Sequence, residues 1–165
     1  MGIDAELRNE KSKLFREWII LDDPRLPLGF DVAKTQGLNT GKKYNGHSFD
    51  WLFKNRTYLV VRSEAITAFE IRHLTFDVWG NHFRTLTGTE IADHAVASAI
   101  QLDHTWNLYS DSEAWDFYAS ITYVARVRTA AGKVIEAETD VVLREARRFS
   151  EKFTVEQLEP SAKKP

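Results

Sequence analysis

The 165-residue sequence predicts a mainly β fold, an antiparallel β-sandwich with an N-terminal and a C-terminal helix. Three observations predict it. Stretches between Phe49 and Glu136 alternate apolar and polar residues with the period of two that a half-buried strand requires. Glycine-containing turns at Gly80-Asn81 and Ala130-Ala131-Gly132 fall between such stretches. After Asp140 the apolar period changes to that of a helix. Strands joined by turns, without strand-helix-strand alternation, read as antiparallel layers.

Taken in order, residues 3–18 read as an amphipathic helix with Ile3, Leu7, Leu14 and Trp18 on one face, although Trp18 to Leu21 can equally open a strand. Asp22-Asp23-Pro24 ends either. Residues 28–48 read as loop, punctuated by Gly29, Gly37, Gly41 and Gly46, with a short strand at Leu28, Phe30 and Val32. This divides the chain into an extension over 1–48, a sandwich with its C-terminal helix over 49–160, and a loose tail over 161–165. Tyr58 to Arg62 and Ile66 to Val78 follow as strands, the second with Leu74, Phe76 and Val78 on one face. A two-residue turn at Gly80-Asn81 pairs Val78 with Phe83 and Asp77 with Arg84. Val96, Ile100, Leu102 and Trp106 share one parity. Residues 116–128 place Ile121, Tyr123, Ala125 and Val127 on one side, with Thr122, Arg126 and Arg128 opposite. A three-residue loop with Gly132 left-handed pairs Val127 with Ile135, Ala125 with Ala137 and Arg126 with Glu136. In the last helix Val142, Leu143, Ala146, Phe149 and Phe153 face inward, and Thr139 or Asp140 caps its start. Thr154 to Gln157 forms a capping box for a final turn, stopped by Pro160.

The segment Leu74-Thr75-Phe76-Asp77-Val78-Trp79-Gly80 resembles the strand-and-turn signature of bacterial FxLYD-type domains, which are immunoglobulin-like sandwiches. That resemblance implies an immunoglobulin-like fold for the core. A curved sheet wrapped by helices, as in small cone-shaped α+β isomerases, is the alternative.

Composition excludes several functions. The absence of cysteine removes disulfides, zinc thiolates and cysteine nucleophiles. A net charge of −2 speaks against general nucleic-acid binding, which needs many phosphate contacts. No apolar run reaches the roughly 20 residues of a membrane helix, and no leader pattern opens the chain, so a cytoplasmic location is expected. Gly37-Leu38-Asn39-Thr40-Gly41-Lys42-Lys43 departs from a phosphate loop by one residue of spacing, with Lys43 where a hydroxyl is needed. There is no Gly-x-Ser-x-Gly elbow.

Two readings of function remain. The first is a non-catalytic module that binds a protein partner, or a second copy, through an aromatic loop rim of Trp106, Tyr109, Trp115 and Tyr118 or through a sheet edge. The second is a small-ligand or metal-binding enzyme whose polar groups converge in a curved sheet. Its candidates are His73, Asp77, His82, His94, Asp103 and His104, with His94, Asp103 and His104 as the metal ligands. Spacing assigns no cofactor. Arg144, Arg147 and Arg148 offer a basic patch for a phosphate or an acidic partner.

Overall fold

The computed structural model describes residues 17–34, 36–44, 49–108 and 116–161. The mainly β expectation holds. Among the described residues nine strands run in chain order: β1 (Glu17–Leu21), β2 (Leu28–Phe30), β3 (Gln36–Tyr44), β4 (Phe49–Val61), β5 (Ile66–Asp77), β6 (His82–His94), β7 (Ala99–Leu108), β8 (Phe117–Thr129) and β9 (Val134–Glu136). Helix α1 (Thr139–Phe149) and a 3-10 turn at Val155–Leu158 close the chain.

The strands form two sheets. The first has the order β1-β8-β5-β6, with β9 also on β8. The second centres on β4, flanked by β2 and β3 on one edge and β7 on the other. The first sheet is mixed, because β1 runs parallel to β8 from Glu17 opposite Ala119 to Leu21 opposite Tyr123. The expectation of purely antiparallel sheets is therefore corrected. So is the helical reading of Trp18, which lies fully buried in β1; Ile3, Leu7 and Leu14 lie outside the described residues. A strand wins here because Trp18, Ile19, Ile20 and Leu21 are buried in succession, so both faces of β1 are covered.

The stretch expected to be a glycine and lysine loop is also strand. Its residues form β3, paired antiparallel with β4 from Gln36 opposite Arg56 to Tyr44 opposite Phe49, with one irregularity between Gln36 and Asn39. Tertiary pairing overrides the turn propensity of Gly37 and Gly41.

Two apolar clusters hold these layers together. One joins the outer face of the first sheet to α1 and the 3-10 turn through Ile19, Leu74, Phe76, Ile121, Tyr123, Val142, Ala146 and Phe153. The other lies between the sheets and includes Leu28, Leu59, Val61, Phe69, Ile71, Ile100, Leu102, Val124 and Val127. Strand β8 therefore contributes to both. A bulge makes this possible. Glu70 pairs with Arg126 and Ile71 with Val124, so Ala125 is an extra residue. It places Val127 with Val124 between the sheets, which corrects the single face expected for Ile121, Tyr123, Ala125 and Val127.

The β8–β9 hairpin has the expected register, Val127 opposite Ile135 and Arg126 opposite Glu136, with Gly132 at φ +89°. The β5–β6 hairpin does not. Phe76 pairs with His82 and Thr75 with Arg84. The Asp77 carboxylate explains the difference. It accepts from the backbone N–H of Trp79 at 2.9 Å and of Asn81 at 2.8 Å, which stabilises a wider loop than a two-residue turn. Val78 and Trp79 are left exposed at its tip.

The start of α1 is secured from outside the helix. Neither Thr139 nor Asp140 caps it; Glu138 is the N-cap residue, makes no side-chain cap, and its N–H donates to Asp23 Oδ2 at 3.0 Å. Burial pushes the Asp23 carboxyl up, but hydrogen bonds from Arg25, from the backbone of Glu138 and Arg25, and the Arg25 charge outweigh it and hold it at about 2. The expected capping box of Thr154 and Gln157 is present. Among the described residues no helix is long and apolar enough to cross a membrane.

Candidate functional site

The space between the sheets changes character along its length. On β5 the inward residues run Phe69, Ile71, His73, Thr75; on β8 they run Val127, Val124, Thr122, Ser120. On β4 the sequence is Leu59, Thr57, Asn55, and on β7 it is Ile100, Leu102, His104, Trp106. Each of these four strands passes from apolar to polar towards the same end. His73, Asn55, Thr57, Thr75, Ser120 and Thr122 are all buried. Buried polar groups at this density are stable only when hydrogen-bonded.

Most of these groups are joined in one chain. Trp18 Nε1–H donates to Thr122 Oγ1 at 2.6 Å. Thr122 Oγ1 lies 2.7 Å from His73 Nδ1, and Asn55 Nδ2 lies 3.2 Å from the same ring nitrogen. Thr57 Oγ1–H donates to Asn55 Oδ1 at 2.5 Å, which turns the Asn55 amide N–H towards His73. An amide nitrogen only donates, so Nδ1 of His73 must be the acceptor. The Thr122 hydroxyl then spends its proton on the same lone pair. The single proton of the neutral ring is thereby placed on Nε2. Protonating Nδ1 as well would set an N–H against the Asn55 amide donor. Burial in addition, together with the nearby His104, lowers the His73 pKa to about 3. His73 is thus a neutral imidazole with a defined tautomer, oriented by both sheets and by the buried indole of β1.

Two further rings stand against it. The Trp106 ring lies 5.0 Å from that of His73 and 5.1 Å from that of His104, steeply inclined to both. His73 and His104 are 6.4 Å apart. His104 occupies space that only glycine leaves open on β6. A Cβ at Gly88 would stand 2.4 Å from His104 Cε1. Burial lowers the pKa of His104, against the pull of Glu90 and Asp103.

Other sequence candidates are dispersed. His82 faces α1's side of the first sheet, 5.1 Å from the Phe153 ring and 2.9 Å from Thr85 Oγ1, where burial lowers its pKa to about 4 despite a backbone hydrogen bond. Asp77 serves its turn. Asp103 and His104 are neighbours in a strand and point to opposite faces, so Asp103 pairs with Arg56 at 2.7 Å in solvent. The expected metal set of His94, Asp103 and His104 is therefore not assembled, and no group of three His, Asp or Glu side chains able to hold a metal occurs among the described residues.

The expected aromatic rim is not one surface either. Trp106 is turned between the sheets, Tyr118 packs against the α1-side cluster, and Tyr109 and Trp115 lie outside the described residues. Arg144, Arg147 and Arg148 are exposed, but Arg147 donates to the Phe153 carbonyl at 3.2 Å and Arg148 to Glu145 at 2.6 Å. Sequence reasoning missed Asn55, Thr57, Thr122, Gly88 and Trp18 as site residues. The common switch from apolar to polar along the four inner faces was the available signal.

No protein-family model matches the chain, and no curated protein matches it. Among solved structures it is similar to a hypothetical protein from Peptoclostridium difficile 630, with 11% sequence identity over 80% of this chain and 95% of that one, at a TM-score of 0.45. That likeness is too slight to assign a fold or a function.

Proposed function

We propose that the protein binds a small molecule at the polar end of the space between its sheets, against His73, His104 and Trp106. The observation that carries this reading is the fixed tautomer of His73. Five side chains from four strands, Trp18, Asn55, Thr57, Thr122 and His73 itself, fix one ring nitrogen as acceptor and so set the tautomer and orientation of the ring. A core needs no such arrangement, because apolar residues of similar size at these five positions would fill the space without burying polar groups. Recognition does need it, since a ring whose tautomer and orientation are set in advance loses little entropy when a ligand packs against it. The rings of Trp106 and His104 supply the apolar and aromatic contact that such sites use.

The reading as a protein-interaction module has less behind it, because Trp106 and Tyr118 belong to different layers. The immunoglobulin-like assignment adds nothing to either, since the site depends on the inner faces of β4, β5, β7 and β8 alone.

Native mass spectrometry of protein purified without denaturation tests the proposal. The expected result is a non-covalent adduct of small mass that is released on unfolding and is absent from His73→Phe. A mass equal to the bare chain, together with a compound screen in which no ligand moves Trp106 fluorescence, refutes it.

A further inference from the structure

We infer that the head group of the bound molecule is an organic ammonium, held between Glu90, His94 and His104 beside the ring of Trp106. This rests on the proposal that a small molecule binds between the sheets. Three polar atoms of these residues are buried and lack a hydrogen-bond partner among the described residues: Glu90 Oε2, His94 Nε2 and His104 Nδ1. They belong to one locality. His94 Nε2 lies 3.7 Å from Glu90 Oε2, beyond hydrogen-bond reach. Glu90 is two residues from Gly88 on the same face of β6, and the His104 ring rests on Gly88. The charge of Glu90 is felt at His104.

The chemistry of the three atoms selects the ligand. A carboxylate oxygen only accepts, and a neutral imidazole nitrogen can accept, so all are satisfied by a donor that carries positive charge. An ammonium has three N–H groups on one atom and reaches several acceptors at once. The Trp106 indole, 5.1 Å from the His104 ring, adds an aromatic neighbour for the organic part of such a ligand. A carboxylate or phosphate ligand would meet the Glu90 charge instead. A metal ion would need three ligands at bonding geometry, which the described residues do not supply.

Isothermal titration calorimetry with matched probes tests this: 2-phenylethylamine, 2-phenylethanol and 3-phenylpropionate, against the wild type, Glu90→Gln and His94→Asn. The inference expects the amine to bind about tenfold or more tightly than the alcohol, and the carboxylate to bind no better than the alcohol. Both variants should lose the advantage of the amine and keep the affinity for the alcohol, with urea midpoints near that of the wild type. If the alcohol or the carboxylate matches the amine in the wild type, the ammonium inference fails while ligand binding between the sheets stands. If none of the probes binds, both fail. Zinc binding that Glu90→Gln abolishes overturns the inference in favour of a metal.

Discussion

Replacing Thr122 by valine removes one oxygen and keeps the shape. In the native chain that oxygen accepts the Trp18 indole N–H at 2.6 Å and donates to His73 Nδ1 at 2.7 Å. Trp18 and Thr122 are both fully buried, so water cannot replace the lost partner. An unsatisfied buried N–H costs about 1–3 kcal/mol, and the second lost hydrogen bond adds about 1 kcal/mol. Thr122→Val is therefore expected to destabilise the fold by about 2–4 kcal/mol. Thr122→Ser keeps the oxygen and loses only a methyl group, at about 1 kcal/mol. Urea denaturation followed by tryptophan fluorescence measures both, with the slope of the transition unchanged if the unfolded state is the same. A cycle with Trp18→Phe isolates the pair, which should couple by about 1–2 kcal/mol. A Thr122→Val variant as stable as Thr122→Ser, or a cycle with no coupling, would mean that the hydroxyl does not join Trp18 to His73.

Further outcomes follow from the same geometry. His73 has its folded pKa lowered to about 3, so the unfolded state takes up a proton first as pH falls below about 6.5. Stability is then complete above that value and declines on acidification, by about 2 kcal/mol at pH 5 for His73 alone, with a smaller screened share from His82; His73→Phe should flatten the urea midpoint between these pH values. Gly88→Ala brings a Cβ within 2.4 Å of His104 Cε1, so the His104 ring must move, at about 1–3 kcal/mol, and its NMR ring resonances should shift while those of His82 stay. Gly132→Ala meets only an ordinary contact with the Arg128 guanidinium at 3.6 Å but a φ of +89°, and is expected to cost about 1 kcal/mol in thermal or urea unfolding, with Gly132→Asn costing less.

What the sequence discloses depends on which interaction sets the structure locally. The register of β8 and β9 is legible because a backbone requirement at Gly132 and a cross-strand pairing of Arg126 with Glu136 agree. The register of β5 and β6 is not, because the Asp77 side chain competes with backbone pairing and wins two loop amides. Alternation separates the two faces of a strand but does not say what covers each. Thr122 was rightly placed opposite Ile121, yet both faces are buried, one by α1 and one by the second sheet. The polar face that reads as solvent-exposed is therefore the interior of the site. The same ambiguity made Asp103 and His104 look like partners, although a strand necessarily separates them. The extra residue Ala125 hides the continuity of the inner face of β8, since the periodicity of two breaks there without any glycine to mark it. His73 was legible as a candidate, but its chain of hydrogen bonds was not, because Trp18 and Thr122 are 104 residues apart in sequence.

The site is organised around the protonation state of one ring, that of His73. Nitrogen-detected NMR correlations of the histidine side chains report which ring nitrogen carries the proton and at what pH the second arrives. The structure predicts that His73 carries its proton on Nε2, with Nδ1 unprotonated, from about pH 8 down to about pH 5, below the pH at which a free imidazole takes up its second proton. A His73 protonated on Nδ1, or one that titrates like a free imidazole near about pH 6.5, would contradict the hydrogen-bond chain on which the site is built.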